Sequence, residues 1–263
     1  MSDVHQIKIP DANGNLVSYP VKDLTETLTR RNITNDLANL PAAIAEQDLK
    51  KYGYKIGDFF IGPTEQADKS HYEYILADLN HFKGGDGYST ITYAVIPQNH
   101  IAIIVNTKQN VQWNTTAVTD TGYAGSNLHS YLENTALPII KSDIASLFGD
   151  WSSHLVANSK LFRTTNNKWG WAWSNDKYIS APTSVQFHGA AICDMDGTDT
   201  GEGNKPLEVF QKYRYNEILG NRNIWLRSIS SAGYPCHAGY SGHAAGSASA
   251  TASSGAVGLI IFI

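Results

Sequence analysis

Charged side chains are scarce in this sequence. Lys, Arg, Asp and Glu make up 17% of the 263 residues, where a typical soluble domain carries about a quarter. The polar surface must therefore be built mostly from Asn, Ser, Thr, Gln and Tyr. A net charge of -4 gives the chain as a whole no basic footprint, so nucleic acid is not an expected partner. There are two cysteines, Cys193 and Cys236, too few for a disulfide framework. One bridge and two buried thiols both remain open. No apolar run approaches the roughly 18 residues that span a bilayer. No charged-then-apolar segment opens the chain as a secretory signal would. The expectation is a soluble protein without membrane insertion.

Catalytic and metal signatures are missing too. The nine histidines are scattered, without metal-ligand spacing. Residues 239–243 (Gly-Tyr-Ser-Gly-His) stop one residue short of a Gly-x-Ser-x-Gly elbow and lie in the wrong context. Gly84-Gly-Asp-Gly87 lacks the Lys-Ser/Thr ending of a phosphate loop. Asp194, Asp196, Asp199 and Glu202 have an acidic spacing that invites a calcium reading, but glycine and the third acid stand at the wrong places for an EF-hand. A solvated loop and a cation site both stay open there. No catalytic residue, metal ligand or cofactor is assigned, and the chain is expected not to be an enzyme.

What is present is a core and a peculiar end. Hydrophobic residues make up 42% of the chain and aromatics 11%. Residues 1–22 predict a hairpin around the turn-forming cluster Asp11-Ala-Asn-Gly14. Asp23 to Lys51 predicts a helix whose Ile33, Leu37, Leu40 and Ile44 follow a 4-3-4 spacing, a narrow coiled-coil-like seam that breaks or restarts at Pro41. The seam either packs on its own domain or joins copies of itself, with self-assembly favoured. Residues 52–125 look β-rich, with an apolar hairpin of Thr90–Ile96 and His100–Val105. Residues 126–149 look helical: Ser126 is an N-cap, Pro138 starts a second helix and Gly149 stops it. In a strand, Trp169, Trp171 and Trp173 would share one face, as core or as a sugar-stacking row.

From Ser228 to Ala256 the chain is overwhelmingly Ser, Ala and Gly. Ile224–Ser228 reads as a strand before this stretch. Val257–Ile263 reads as a strand buried on both sides, because it holds no charge and no polar alternation. A segment bracketed by two anchored strands is not a floppy tail. Tyr with Ser and Gly is the chemistry of adaptable binding loops. The candidate contacts are Tyr234, His237, Tyr240, Ser241 and His243, with Ser247, Ser249, Thr251 and Ser253 as a flatter remainder. Arg227 is expected to brace the loop base, with its charge partnered.

Several segments in order carry a resemblance: Ala77-Asp-Leu-Asn-His81, Asn114-Thr-Thr116, Gly122-Tyr123-Ala-Gly125-Ser126, Trp169-Gly-Trp-Ala-Trp173, Pro206-Leu-Glu-Val-Phe210 and Trp225-Leu-Arg-Ser228 with Gly258. Together they resemble phage and prophage virion proteins that end in a C-type-lectin-like domain, akin to the variable proteins of diversity-generating retroelements. Ile7-Lys-Ile-Pro10 and Val21-Lys-Asp23 are similar to the openings of tail-fibre and tail-tip proteins. The likeness departs at the end, where Gly255-Ala-Val-Gly258 replaces the family's Gly-Val-Arg-Pro or Gly-Val-Ala-Pro.

The resemblance implies an α+β fold, with residues 1–52 as an N-terminal β-hairpin/helix segment for attachment and oligomerisation. Residues 53–263 would be the ligand-binding display domain. It further implies a receptor-binding protein of the phage tail, made in the bacterial cytoplasm and released by lysis. Its partners would be a host cell-surface protein or glycan, other virion proteins and its own copies in a homotrimer. A structural decoration or fibre protein that binds no receptor is the alternative.

Overall fold

The computed structural model describes residues 6–10, 16–20, 29–81, 96, 98–116, 122–157, 161–163, 171–173, 178–188, 206–229, 234–239, 244–245, 249, 251–252 and 255–263. The chain divides into two compact units, Met1–Arg31 and Asn32–Ile263. The boundary lies nearer the N terminus than the 52/53 division read from the sequence. The first unit holds the expected hairpin. Strand β1 (Gln6–Pro10) pairs antiparallel with β2 (Leu16–Pro20), Gln6 opposite Pro20.

The helix expected over Asp23–Lys51 does not form as such. Residues 21–28 lie outside the described residues. Helix α1 covers only Leu40–Ala45, and a 3₁₀ turn covers Lys50–Tyr52. Pro41 sits in the first turn of α1, where its missing N–H costs nothing, which is the restart read at this position. The stretch before α1 is drawn into other bonds. Asn32 Oδ1 accepts from Thr34 N and Oγ1, and Ile33 N donates to Phe59 O at 2.8 Å. Ile33, Leu37, Leu40 and Ile44 are all buried in the core of the second unit. The 4-3-4 seam is closed against its own domain and is not an exposed face for self-assembly.

The second unit is mixed α and β. Its seven-stranded sheet runs in the order β10-β9-β8-β11-β5-β4-β3. The strands are β3 (Phe59–Glu65), β4 (His71–Leu79), β5 (Ile101–Asn110), β8 (Asn223–Ile229), β9 (Pro235–Ala238), β10 (Ala244–Ala245) and β11 (Gly255–Phe262). Two further short strands, β6 (Leu161–Arg163) and β7 (Trp171–Trp173), pair with each other. Of the expected Thr90–Ile96 strand only Ile96 lies among the described residues.

The expected two-sided burial of the last strand holds. β11 lies in the middle of the sheet, parallel to β8 and antiparallel to β5. Val257, Leu259, Ile260 and Ile261 are buried. Central strands with both faces covered need no polar alternation.

Helices cover one flank of the sheet. α2 (Asn127–Tyr131), a π-helical turn (Leu132–Ala136) and α3 (Leu137–Phe148) run on from one another. The capping residues act as read. Ser126 Oγ accepts from His129 N at 3.0 Å, Pro138 opens α3, and Gly149, at φ 95°, ends it. Leu128, Leu132, Ile140 and Ile144 face the core. Asp143 is buried among them. It accepts from Thr64 N at 2.8 Å and Tyr74 Oη at 2.7 Å, which ties α3 to β3 and β4. The described residues of the unit also include three short helices: α4 (Ser184–His188), α5 (Glu208–Lys212) and α6 (Tyr215–Leu219). Among the described residues, no helix is long and apolar enough to cross a membrane.

Candidate ligand-display face

Because β8 and β11 are parallel neighbours, the chain between them cannot return by a tight hairpin. It leaves β8 at Ile229 and must travel back to enter β11 opposite Asn223. Strand β9 begins the return, with Pro235 opposite Ile229 and Ala238 opposite Ile224. β10 then pairs on the outer side of β9. A turn closed by Ala252 N donating to Ser249 O at 2.9 Å leads towards β11.

This path separates the candidate contacts. Tyr234 stands at the Ile229 end of β8 and is 50% exposed. Ser249 and Thr251 approach the Asn223 end, their hydroxyls 3.0 Å apart. A seven-residue strand such as β8 spans roughly 20 Å, so these residues do not form one small patch. His237 lies between, half-buried, its ring edge-on to Trp225 with centroids 6.1 Å apart. Tyr240, Ser241, His243, Ser247 and Ser253 lie outside the described residues, as do Asp194, Asp196, Asp199 and Glu202. Arg227 is buried, 5% exposed, and its backbone N–H donates to Pro182 O at 3.0 Å.

The support under this face comes from residues the sequence reading passed over. Beyond the end of β5, Val111, Gln112 and Trp113 form a strut. Trp225 Nε1 donates to Val111 O at 2.6 Å, and Trp113 Nε1 donates to Leu226 O at 3.1 Å. Gln112 Nε2 donates to Thr251 O at 2.9 Å, holding the turn before β11. The strut is anchored in turn by α2: Asn127 Nδ2 donates to Gln112 O and Leu128 N to Trp113 O, each at 3.0 Å. Thr107 Oγ1 donates to Val257 O at 2.9 Å and locks β5 to β11.

Arg222 clamps the same end of the sheet. Its guanidinium donates to Gln109 O at 3.0 Å and to Asn110 Oδ1 at 2.9 Å. Burial lowers its pKa, so these neutral acceptors hold the charge in a partly desolvated place. On the other side of β9, Tyr215 Oη donates to Ala238 O at 3.3 Å, and Phe187, Phe210 and Tyr215 pack ring against ring.

Cys236, in β9, is disulfide-bonded. This resolves the choice the sequence left open; the chain's other cysteine, Cys193, lies outside the described residues. The bond fixes the strand that carries His237. Nothing in the sequence could have decided it, because two cysteines 43 positions apart, from 193 to 236, meet or miss according to the fold.

A buried titratable pair lies elsewhere in the unit. His81 Nδ1 and Asp78 Oδ2 are 2.7 Å apart with both side chains shut away from solvent, and the same oxygen accepts from Glu208 N at 3.1 Å at the start of α5. The pair pins a helix to β4. Among the described residues no group of three or more His, Cys, Asp or Glu is arranged to hold a metal ion. A cavity of about 300 Å³ lies elsewhere in the unit, lined by Leu40, Ile44, Phe148, His154, Val156 and Ile263 among others. None of the candidate contact residues lines it. No family profile, curated protein or solved structure matches this chain.

Proposed function

We propose that the chain is a phage virion receptor-binding protein whose second unit is a C-type-lectin-like domain displaying the segment between β8 and β11. One observation carries this reading: a segment of small and adaptable residues is held at both ends by adjacent inner strands. Changes within such a segment leave the core contacts of β8 and β11 intact. Tyr234 and His237 supply rigid contact area, and the Ser, Thr and Gly positions supply fit. The ligand is a host cell-surface protein or glycan, bound without covalent chemistry. Attachment to other virion proteins and trimer formation fall to the Met1–Arg31 unit, since the Ile33–Ile44 seam is consumed by the domain core. A relation to retroelement-diversified proteins follows from the same logic.

The test is comparative and direct. The locus is sequenced across a mixed population, and purified Tyr234→Ala protein is assayed for adsorption to host cells. Differences concentrated between Tyr234 and Ala256, with adsorption lost at unchanged melting temperature, support the reading. Differences spread evenly, with adsorption unaffected, favour a structural virion protein.

A further inference from the structure

Outside the segment between β8 and β11, at the end of α3, two aromatic rings meet a lysine. Gly149 ends that helix, and Asp150 caps the 3₁₀ turn Trp151–Ser153 by accepting from Ser152 N at 3.1 Å. Trp151 is fixed from behind, its carbonyl accepting from His154 N at 3.1 Å and Leu155 N at 2.8 Å. Tyr178 is fixed as firmly, two residues from Ser180. That residue exchanges backbone bonds with Ile260 of the central strand at 3.2 and 2.9 Å. The two rings meet edge to face, with centroids 5.5 Å apart and planes at 90°. Each packs one side on the core and keeps part of its surface in solvent.

This corner already holds a cation. Lys141 Nζ sits 4.1 Å from the Trp151 ring centroid and 5.5 Å from that of Tyr178. Among the described residues Lys141 has no carboxylate and no hydrogen-bond acceptor. Its ammonium is held by the faces of two rings alone, which attract cations through the ring quadrupole. A primary ammonium is strongly hydrated and gives up much by resting there. A trimethylammonium group gives up less water, offers methyl surface to both rings and cannot use a hydrogen-bond acceptor even where one exists.

We infer that Trp151 and Tyr178 form a binding corner for a quaternary ammonium group of the choline type, in which Lys141 acts as a tethered occupant that the ligand displaces. The inference does not rest on what the display segment binds. Lys141 is the built-in competitor: a tethered group has an effective concentration in the millimolar range or above, so native affinity is weak and rises when the tether is cut. Ligands presented in many copies on one surface recover the loss through avidity.

The probe is choline chloride, titrated into the full chain at constant ionic strength and followed by calorimetry and by the Trp indole N–H signals in NMR. Lys141→Ser is expected to tighten choline binding about tenfold. Trp151→Phe, which keeps a ring but a weaker one, lowers affinity, and Tyr178→Ala abolishes saturable binding. Ethanolamine, a primary ammonium, binds more weakly than choline to every variant. Folding of each variant is checked by its melting curve. A folded Lys141→Ser protein with no saturable choline binding overturns the proposal, and so does equal binding of choline and potassium. Loss of host adsorption with choline binding intact, or the reverse, separates this site from the display face.

Discussion

The Tyr74 hydroxyl donates to the Asp143 carboxylate at 2.7 Å, with both residues buried. That bond joins α3 to β4 of the sheet, and its neighbourhood leaves no spare room. A Cβ placed on Gly62 would run into the Asp143 carboxylate and the edge of the Tyr74 ring. Asp143→Ala leaves Tyr74 Oη and Thr64 N without their acceptor and is expected to cost about 3 kcal/mol. Gly62→Ala costs about 1–3 kcal/mol by overpacking. Urea unfolding curves of both variants check these values, and an unchanged midpoint for either contradicts the clamp.

Alkaline pH should expose the buried tyrosines. Burial raises the pKa of Tyr74 and Tyr215 well above the ordinary 10.0, and that of Tyr72 rises too, for the same principal reason. Their folded values exceed their unfolded ones. The stability they contribute is thus complete below pH 10 and is lost as pH climbs beyond it. A spectrophotometric tyrosinate titration is expected to show these three ionising only with unfolding, in step with loss of the circular dichroism signal. Early, reversible ionisation of the whole set of 14 tyrosines would contradict their burial.

Reduction of the disulfide at Cys236 is expected to lower stability by about 2–4 kcal/mol and to loosen β9. A thiol assay on the native protein should find Cys236 unreactive until reductant is added. The melting temperature should then fall. A reactive thiol in the untreated protein rules the bond out.

Leu259→Asp puts a charge at a fully buried position of the central strand. Several kcal/mol are at stake, because no partner waits for the carboxylate. The variant should be insoluble or unfolded by circular dichroism. A soluble protein with the native melting curve would refute the placement of β11.

Much of this fold was legible residue by residue. Ser126, Pro138 and Gly149 announced helix ends because capping is local chemistry. Val257–Ile263 announced a central strand because an uncharged run has nowhere else to go. The Ile33–Ile44 spacing misled for a physical reason: Leu40 and Ile44 are helical, but the turns before them return Ile33 and Leu37 to the same core and so extend the 4-3-4 count beyond the helix. Of the candidate contacts, the described ones are spread along β8 because a parallel pairing with β11 forces the chain to travel the strand's length, and pairing sense is not written in composition. The strut of Val111, Gln112 and Trp113 was invisible for another reason. Two Trp N–H groups and one Gln amide reach carbonyls 114, 113 and 139 positions away, and no spacing rule encodes that.

The central place of β11 also sets an order of events during folding. β3, β4 and β5 can pair as one antiparallel sheet, and β8, β9 and β10 as another, since each set contains its own neighbours. Among the described residues the two half-sheets share no ladder; β11 supplies the strand pairing between them, and side-chain bonds such as that of Trp225 to Val111 add to it. Until that strand docks, each half presents an open edge ready to pair with a stranger. Long-range closure of this kind is slow. The interval before docking is where this protein is most exposed to misassembly, and where a chaperone would do the most good.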